Sequence, residues 1–580
     1  MSAFLTVENS LTGRRWVGPT IEADRLAEAM AQATRLPLPL ARVLVARGVT
    51  AEQAEGFLEP TLRELLPDPH RLKDMEKAAA RFLLALNRRE KIAVFADYDV
   101  DGGASAALLM IWLRAFGHAA TLYIPDRIDE GYGPNVPAMQ ALGRDHSLIV
   151  CVDCGTLSHE PVAAARPADV VILDHHLGGE TLPPALACVN PNRADEPGDL
   201  GHLCAASVVF LMLVEANRQL RAQQVKGPDL MALLDLVALA TVADVAPLVG
   251  VNRALVRQGL KVMARRERPG LVALSDVARI DRPPTAYHLG FLLGPRVNAG
   301  GRIGAADLGA RLLATESPTE AAALAERLDR LNAERREIEN RVRAAALAQA
   351  EARGLDGPLV WAAGEGWHPG VVGIVAARLK EATNRPAVVI GLEGGIGKGS
   401  ARSVAGVDLG AAVQRVAAEG LLVKGGGHRM AAGLTVEEGR IEAAMARLAD
   451  LLARQGAGAG GPTDLRLDGL LMPGAATPAL VEDLERAGPF GQGAPGPRFA
   501  FAEMAISGAR RIGESHLRFS LGAGMGSKID AVAFGAFDGP LGPALSAGGA
   551  GRFHLAGKLE INSWGGRNRV QLRLDDAARA

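Results

Sequence analysis

Between residues 91 and 176, short apolar runs alternate with stretches of helical character: KIAVFAD then GASAALLMIWLRAFG, SLIVCVD then SHEPVAAARP, and DVVILDHH. A strand that is apolar throughout must be covered on both faces, so this alternation predicts a doubly wound parallel α/β sheet. Leu203–Glu215 and Leu230–Ala240 read as buried helices, the second running into ATVADVAPL. Ser317, Pro318 and Glu320 supply an N-cap, a proline at the first helical position and an acid at the third, and Gly354 supplies the C-cap. Along that helix Leu324, Leu328, Leu331, Ile338 and Val342 keep a four-three spacing that Arg335 interrupts. Balanced charges favour a solvated connector between two lobes over a coiled coil.

A second α/β unit starts with PLVWAAGEGWHPGVVGIVAARL and continues through PAVVIGLEGG, KGSARSV and KGGGHRMAAGLTV, ending at the glycine-rich RQGAGAGGPTD. After it, LRLDGLL, FAFAEMAISGARRI, LRFSLGA, KIDAVAFGA, RFHLAGKLEIN and RVQLRLDD are short alternating segments separated by turns. They predict a small β-barrel. At the other end, LARVLVARG and TAEQAEGFL read as short helices, the second capped by Thr50. The expected division is a helical segment at 1–75, a catalytic domain at 76–315, a connector helix at 316–354, a second α/β domain at 355–455 and a barrel at 464–580.

Composition narrows the class. A chain of 580 residues with 48% hydrophobic and 22% charged residues reads as several globular domains rather than a disordered or disulfide-knotted protein. Lys+Arg 64 against Asp+Glu 65 gives a net charge of -1, which excludes a globally basic nucleic-acid binder but not a local phosphate channel. The N-terminus lacks a signal-peptide pattern, and the longest apolar stretch, Leu203–Val214, is short for a membrane span. With only Cys151, Cys154, Cys188 and Cys204, a reducing, cytoplasmic setting is expected.

The chemistry concentrates where strands end. Ligand sites of open parallel sheets lie beyond the carboxyl ends of the strands, and three runs finish in acid there: Asp97, Asp99 and Asp101 in DYDVDG, Asp153 in VDCG, and Asp174-His175-His176. Asp244, after a buried helix, can reach the same rim. One Asp-Gly after a strand is ordinarily a turn and one His-His a capping sequence, but four such sites on one rim are not. So many carboxylates repel unless cations lie between them. Oxygen-rich ligands with one or two imidazoles suit a pair of Mn²⁺ or Mg²⁺ ions, the standard apparatus of phosphoester hydrolysis.

The same residues resemble the DHH phosphoesterase superfamily, named for the Asp-His-His at 174–176. The blocks DYDVDGGASAA, VDCG, LDHHLGGETLPPALACVNPN, ALATVADVAPLVGVNR, LGPRVNAGGRIG, WHPGVVGIVAARL, GSARSV, KGGGHRMAAGLT and PFGQGAPGPRF are similar, in order, to the RecJ single-strand-specific exonucleases. The resemblance runs from about residue 35 to the C-terminus. It implies DHH, DHHA1 and OB-type domains, with Asp97, Asp99, Asp101, Asp153, His175 and Asp244 as metal ligands and the catalytic Asp174 and His176 either among those ligands or just behind them. It also implies that Ser400 and Arg402 hold a 5′ end and that Arg296, Arg302 and His428 touch phosphate or substrate; the plain reading of a lone arginine is a salt bridge. Val100 and Gly300 depart from the family's more usual alanines, Val100 as a packing change and Gly300 as a looser substrate loop.

The implied activity is 5′-to-3′ hydrolysis of single-stranded DNA in repair and recombination, by a monomer that works with a helicase and a single-strand-binding protein. The competing readings are a small-substrate DHH phosphoesterase, which the barrel argues against, and a non-catalytic DNA-binding relative, which the intact acids argue against. In the barrel, Arg510, Arg511, Arg518, Phe519 and Arg552 are candidate strand contacts, Phe519 alternatively being core. Cys151-x-x-Cys154 reads as packing, because Cys151 lies inside an apolar strand and no second close pair completes a zinc site. GLEGGIGKGS misses the P-loop spacing.

Overall fold

The computed structural model describes residues 3–127, 130–458, 463–523, 526–547, 551–564 and 567–580. Part of the glycine-rich stretch read as a boundary, 459–462, lies outside the described residues. The chain divides into two units, one of Asp68–Asp244 with Gln258–Gly460, the other of Met1–Pro67, Val245–Arg257 and Gly461–Ala580.

In the first unit five parallel strands lie in the order Ala120–Tyr123, Ile92–Ala96, Leu148–Val152, Asp169–Leu173, Ala187–Val189. The sheet is doubly wound, and the direction of winding reverses between Ile92–Ala96 and Leu148–Val152. Ala96 pairs with Val152 and Val152 with Leu173, so Asp97, Asp153 and Asp174 each emerge one residue beyond the paired ends. The three central apolar runs form strands where the sequence places them. The two edge strands carry shorter runs, and Ala120–Tyr123 is only partly buried.

Helix Val100–Arg114 is buried on nearly all sides, beneath helices Ala205–Ala222, Leu234–Ala243 and Leu308–Ala314. Gly102 lets the start of this helix fold tightly back on the strand end, since a Cβ there would lie 2.4 Å from the Asp97 carbonyl oxygen. The capping pattern at Ser317 forms as expected: its hydroxyl accepts the Glu320 N–H at 3.3 Å and starts helix Pro318–Arg353. That helix is less solvated than its charge suggests. It packs on Pro269–Val277, Gly294–Ile303 and Pro369–Thr383, and the interrupting Arg335 is buried, bonded to Asn332 and Glu339. Beyond it a mixed sheet runs Lys424–His428, Ala431–Glu437, Ile396–Arg402, Ala387–Glu393, Val360–Glu365, parallel only in the last pair.

In the second unit Phe499–Ile512, His516–Gly522, Lys528–Ala533, Arg567–Arg579 and Phe553–Trp564 pair in that order, and the last returns to the first, closing a five-stranded barrel. The N-terminal helices Ile21–Thr34, Leu38–Ala46 and Ala54–Leu58 share the barrel's apolar core rather than standing apart. Arg14–Val17 pairs in parallel with Thr463–Arg466, and buried Trp16 donates its indole N–H to Asp576 at 2.8 Å. Thr50 does not cap the third of these helices, which begins after Gln53; the Gln53 side chain instead accepts the Thr50 N–H. Phe519 is core at 1% exposure, so it offers no stacking face, whereas Phe534 is 59% exposed with the Arg573 guanidinium 6.0 Å from its ring centre. Arg518 pairs with Asp530, Arg511 covers Phe537 and Arg552 donates to the Glu503 carbonyl, while Arg510 stays exposed. No described helix is long and apolar enough to cross a membrane.

Candidate metal centre and phosphate pocket

The parallel strands deliver Asp97 and Asp153 to neighbouring positions at the point where the sheet's winding reverses, which is where open sheets bind ligands. Asp153 holds a left-handed backbone conformation, φ 60°, a strained state for a residue with a Cβ. Asp99 caps helix Val100–Arg114, accepting the N–H groups of Asp101 and Gly102 at 2.8 and 3.1 Å. Asp101 is buried, and its two oxygens accept the Ala205 and Ala206 N–H groups at the start of helix Ala205–Ala222. Asp244 caps the C-terminus of Leu234–Ala243.

His175 Nε2 lies among these acids, 3.2 Å from Asp153, 3.7 Å from Asp101 and 3.7 Å from Asp244. Asp97, Asp99 and Asp153 offer oxygens within 4.8 Å of one another, as do the ligand atoms of Asp101, His175 and Asp244, and of Asp153, His175 and His176. The structure thus brings together all six residues expected as ligands. Burial, with Asp99 next to it, pushes the Asp97 carboxyl well above its ordinary range, and burial with Asp101, Asp99 and Asp97 does the same to Asp153. Burial followed by repulsion from Asp101, Asp99 and Asp97 carries Asp244 up to about 9. Asp97 Oδ1 has no hydrogen-bond partner, and Asp153 Oδ1 faces His175 without a hydrogen bond to it. Orphaned oxygens crowded on a polar rim fit hard divalent cations such as Mn²⁺ or Mg²⁺.

Asp174 behaves differently. Burial alone would raise its carboxyl, but bonds from His176 and from the Thr156 hydroxyl and N–H hold it well below the usual range. The same contact raises His176 against the effect of burial. Asn190 and Asn192 hold the carbonyls of His176 and His175. Both Asp174 oxygens thus carry at least two hydrogen bonds, which tie the His175–His176 segment and the His176 ring to Thr156.

Beside the acids lies a cavity of about 550 Å³ lined by Arg127, Arg302 and Arg402 together with Tyr98, Tyr132 and Asn298. Burial and the charge of Arg127 draw Arg302 down to about 10, and lower Arg402 as well. Arg402 donates to the Ser400 hydroxyl at 3.0 Å, and Arg302 to the Gly370 carbonyl at 3.1 Å; neither meets a carboxylate among the described residues. Asp97, Asp99 and Glu381 line the same cavity, but among the described residues neither guanidinium forms an ion pair with them, so both keep donors for a phosphate. Arg296 does not join them: it is buried, with Nε on the part-exposed Asp329 at 2.8 Å and Nη1 on the Leu292 carbonyl, so its donors are engaged in an interhelical ion pair. His428 is exposed at the end of its hairpin strand, outside the cavity lining. Gly300 lies inside helix Gly294–Ile303 rather than in a loop, where a Cβ would meet Ala305 and Leu328 at 3.2 Å. Val100 packs below the site as expected, its N–H held by Asn298. All four cysteines are buried and free.

Sequence reasoning missed Arg127 and Tyr132, whose hydroxyl meets the Asp153 carbonyl at 3.0 Å and His176 Nε2 at 3.2 Å. Both follow the unrecognised strand Ala120–Tyr123, so no strand-end rule pointed to them.

Three family models match in succession: the DHH family N-terminal domain over 91–241, the DHHA1 domain over 356–454 and the RecJ OB domain over 467–576. The single-stranded-DNA-specific exonuclease RecJ of Dickeya dadantii is 39% identical, covering 93% of this chain and 96% of that protein. Its namesake from Escherichia coli is 37% identical over 96% of this chain and 98% of its own length. The crystal structure of RecJ in complex with Mn²⁺ from Thermus thermophilus matches with a TM-score of 0.80 and 31% identity, covering 97% of this chain and 79% of that one. Relatives this similar over nearly the whole sequence, with the three domain matches in one order, settle the family: the chain belongs to the RecJ exonucleases.

Proposed function

We propose that this protein is a metal-dependent exonuclease that hydrolyses single-stranded DNA from a 5′ end. The observation that carries the reading is the adjacency of a carboxylate cluster and an acid-and-histidine cluster to a cavity lined by Arg127, Arg302 and Arg402, of which Arg302 and Arg402 have no ion-pair partner among the described residues. Asp97, Asp99 and Asp153 would hold one Mn²⁺ or Mg²⁺ ion and Asp101, His175 and Asp244 a second, Asp153 and His175 being close enough to serve both. Bound there, such ions supply a hydroxide nucleophile and a Lewis acid for the phosphodiester.

The chain's own residues do the rest. Arg127, Arg302 and Arg402, with the Ser400 hydroxyl, grip the terminal phosphate and fix which linkage meets the acids. Asp174 and Thr156 keep His176 and His175 in register. The barrel at 464–580 would bind single strands as an OB-type module in its own right, with Phe534 and Arg573 in the role first expected of Phe519. The catalytic domain at 76–315 and the DHHA1 domain at 355–455 form the two walls of the cavity. Repair and recombination in the cytoplasm, as a monomer supplied with single strands by a helicase and a strand-binding protein, is the setting this activity requires.

Digestion of end-labelled single-stranded and duplex DNA with Mn²⁺, Mg²⁺ or EDTA tests the reading. Mononucleotide release from the 5′ end of single strands, abolished by EDTA, is the expected result. Cleavage that is equal on duplex, begins at the 3′ end or persists in EDTA contradicts it.

A further inference from the structure

The helix that carries Asn298 and Arg302 does not begin as an ordinary α-helix. His288–Leu293 is wound as a π-helix before the chain tightens into Gly294–Ile303. Pro295 accounts for the defect, since its missing N–H and its ring disturb the turn before it, and wider turns relieve the crowding. Arg296 Nη1 takes up the Leu292 carbonyl at 2.7 Å. At the surface this leaves Tyr287 and Phe291 stacked, ring centroids 5.0 Å apart and planes 24° apart. They remain 52% and 64% exposed. Two large rings that stack on each other yet belong to no core form a face that is incomplete by itself.

We infer that Tyr287 and Phe291 are a stacking platform for a base of the single-stranded substrate, inward of the end held in the arginine-lined cavity. The inference rests on the single-strand exonuclease reading above. Its support is continuity with that site. The platform's helix is docked on the helix that ends in Asp244: a Cβ on Gly290 would lie 3.3 Å from Val242, and one on Gly294 3.1 Å from Ala243. Further along, the same helix gives Asn298 to the Val100 N–H and Arg302 to the cavity. Phe291 and Asn298 are seven residues apart, about 10 Å at 1.5 Å per residue, so a strand leaving the cavity along this helix reaches the rings after a short distance. Base stacking on aromatic rings tolerates any sequence. It also discriminates against duplex, whose bases already stack on one another.

The test uses 5′-phosphorylated strands with non-hydrolysable phosphorothioate linkages near the end, in Mn²⁺, carrying one abasic site moved stepwise inward. The unaltered protein should lose about tenfold in affinity when the abasic site falls at the platform and much less elsewhere. The Tyr287→Ala/Phe291→Ala variant should bind the complete strand about tenfold more weakly and show no preferred position in the scan. Tyr287→Leu/Phe291→Leu, which keeps apolar volume without rings, should match the alanine variant, and Tyr287→Phe should keep the positional loss. A scan that singles out no position, a double variant that keeps the same positional loss, or leucines that bind like the native rings would each overturn the platform. So would a changed oligomeric state in light scattering with an unchanged scan, which would assign the face to protein contact. Digestion of unmodified strands is read separately: a positional loss without any digestion would leave the platform standing and remove the exonuclease reading.

Discussion

Asp576 in the barrel and Asp97 on the rim of the parallel sheet are both carboxylates withdrawn from water, at 0% and 4% exposure. Asp576 accepts the Trp16 indole N–H, the Thr12 hydroxyl and the Ala577 N–H, all within 2.9 Å, so its charge is spent tying the N-terminal strand to the barrel. Asp97 keeps an oxygen with no partner and is driven toward protonation by burial and by Asp99. A buried carboxylate with both oxygens bonded is sustained by the fold itself, as Asp576 and also Asp101 are; an oxygen left with no partner is maintained at a cost, and the cost makes sense only if something else completes it. Arginines divide the same way. Arg268 is held by both oxygens of Asp235, whereas Arg302 and Arg402 face the cavity and form no ion pair among the described residues.

The sharpest way to break this contrast is to remove open groups and filled groups in turn. His175→Ala removes a proposed ligand from the centre of the acids and should reduce hydrolysis by at least about a thousandfold, the several kcal/mol that metal-assisted catalysis supplies, while circular dichroism shows a folded chain. Asp174→Ala removes a filled group that only orients the histidines and should lose about 10–100-fold, partly restored by excess Mn²⁺. Equal losses, unrelieved by metal, would erase the distinction between holding and positioning. Arg402→Ala should slow 5′-phosphorylated strands by about tenfold more than 5′-hydroxyl strands, since a charge-assisted contact vanishes with its phosphate. Equal slowing on both ends would make Arg402 a structural residue.

Open groups were more legible in the sequence than filled ones. Asp97 and Asp153 follow unbroken apolar runs, and a strand end can be read from a handful of neighbours. Arg127 follows a strand whose pattern is mostly half-exposed, so nothing local marks it. The partnership of Trp16 with Asp576 spans almost the entire chain, and no periodicity within either segment encodes it, which is why the N-terminal helices read as a separate piece. Arg296 and Arg302 stand six positions apart in one motif; only packing decides that the first pairs with Asp329 and the second reaches the cavity. Phe519 lies within a barrel strand and faces the core, whereas Phe534 follows the end of strand Lys528–Ala533, where the chain turns and leaves its ring exposed.

The smallest expected effect is also the one that separates the two carboxylates by sign. In EDTA, Asp576→Asn should lower stability by about 1.5–3 kcal/mol, because the bonds from Trp16 and Thr12 lose their charge assistance and the amide turns a donor toward groups that already donate. Asp97→Asn should instead raise stability by about 1 kcal/mol at neutral pH, because it removes the cost of either ionising a buried carboxyl beside Asp99, one oxygen of which has no partner, or holding it protonated. Thermal scans of each variant should show transitions moving in opposite directions. Saturating Mn²⁺ should then reverse the second shift and not the first, since a cation that binds the folded site stabilises the unaltered chain more than one lacking a ligand, whereas Asp576 has no part in that linkage. Were Asp97→Asn destabilising in EDTA, its open oxygen would be serving the fold, and the rule that distinguishes scaffold from site would fail at the residue on which it rests most heavily.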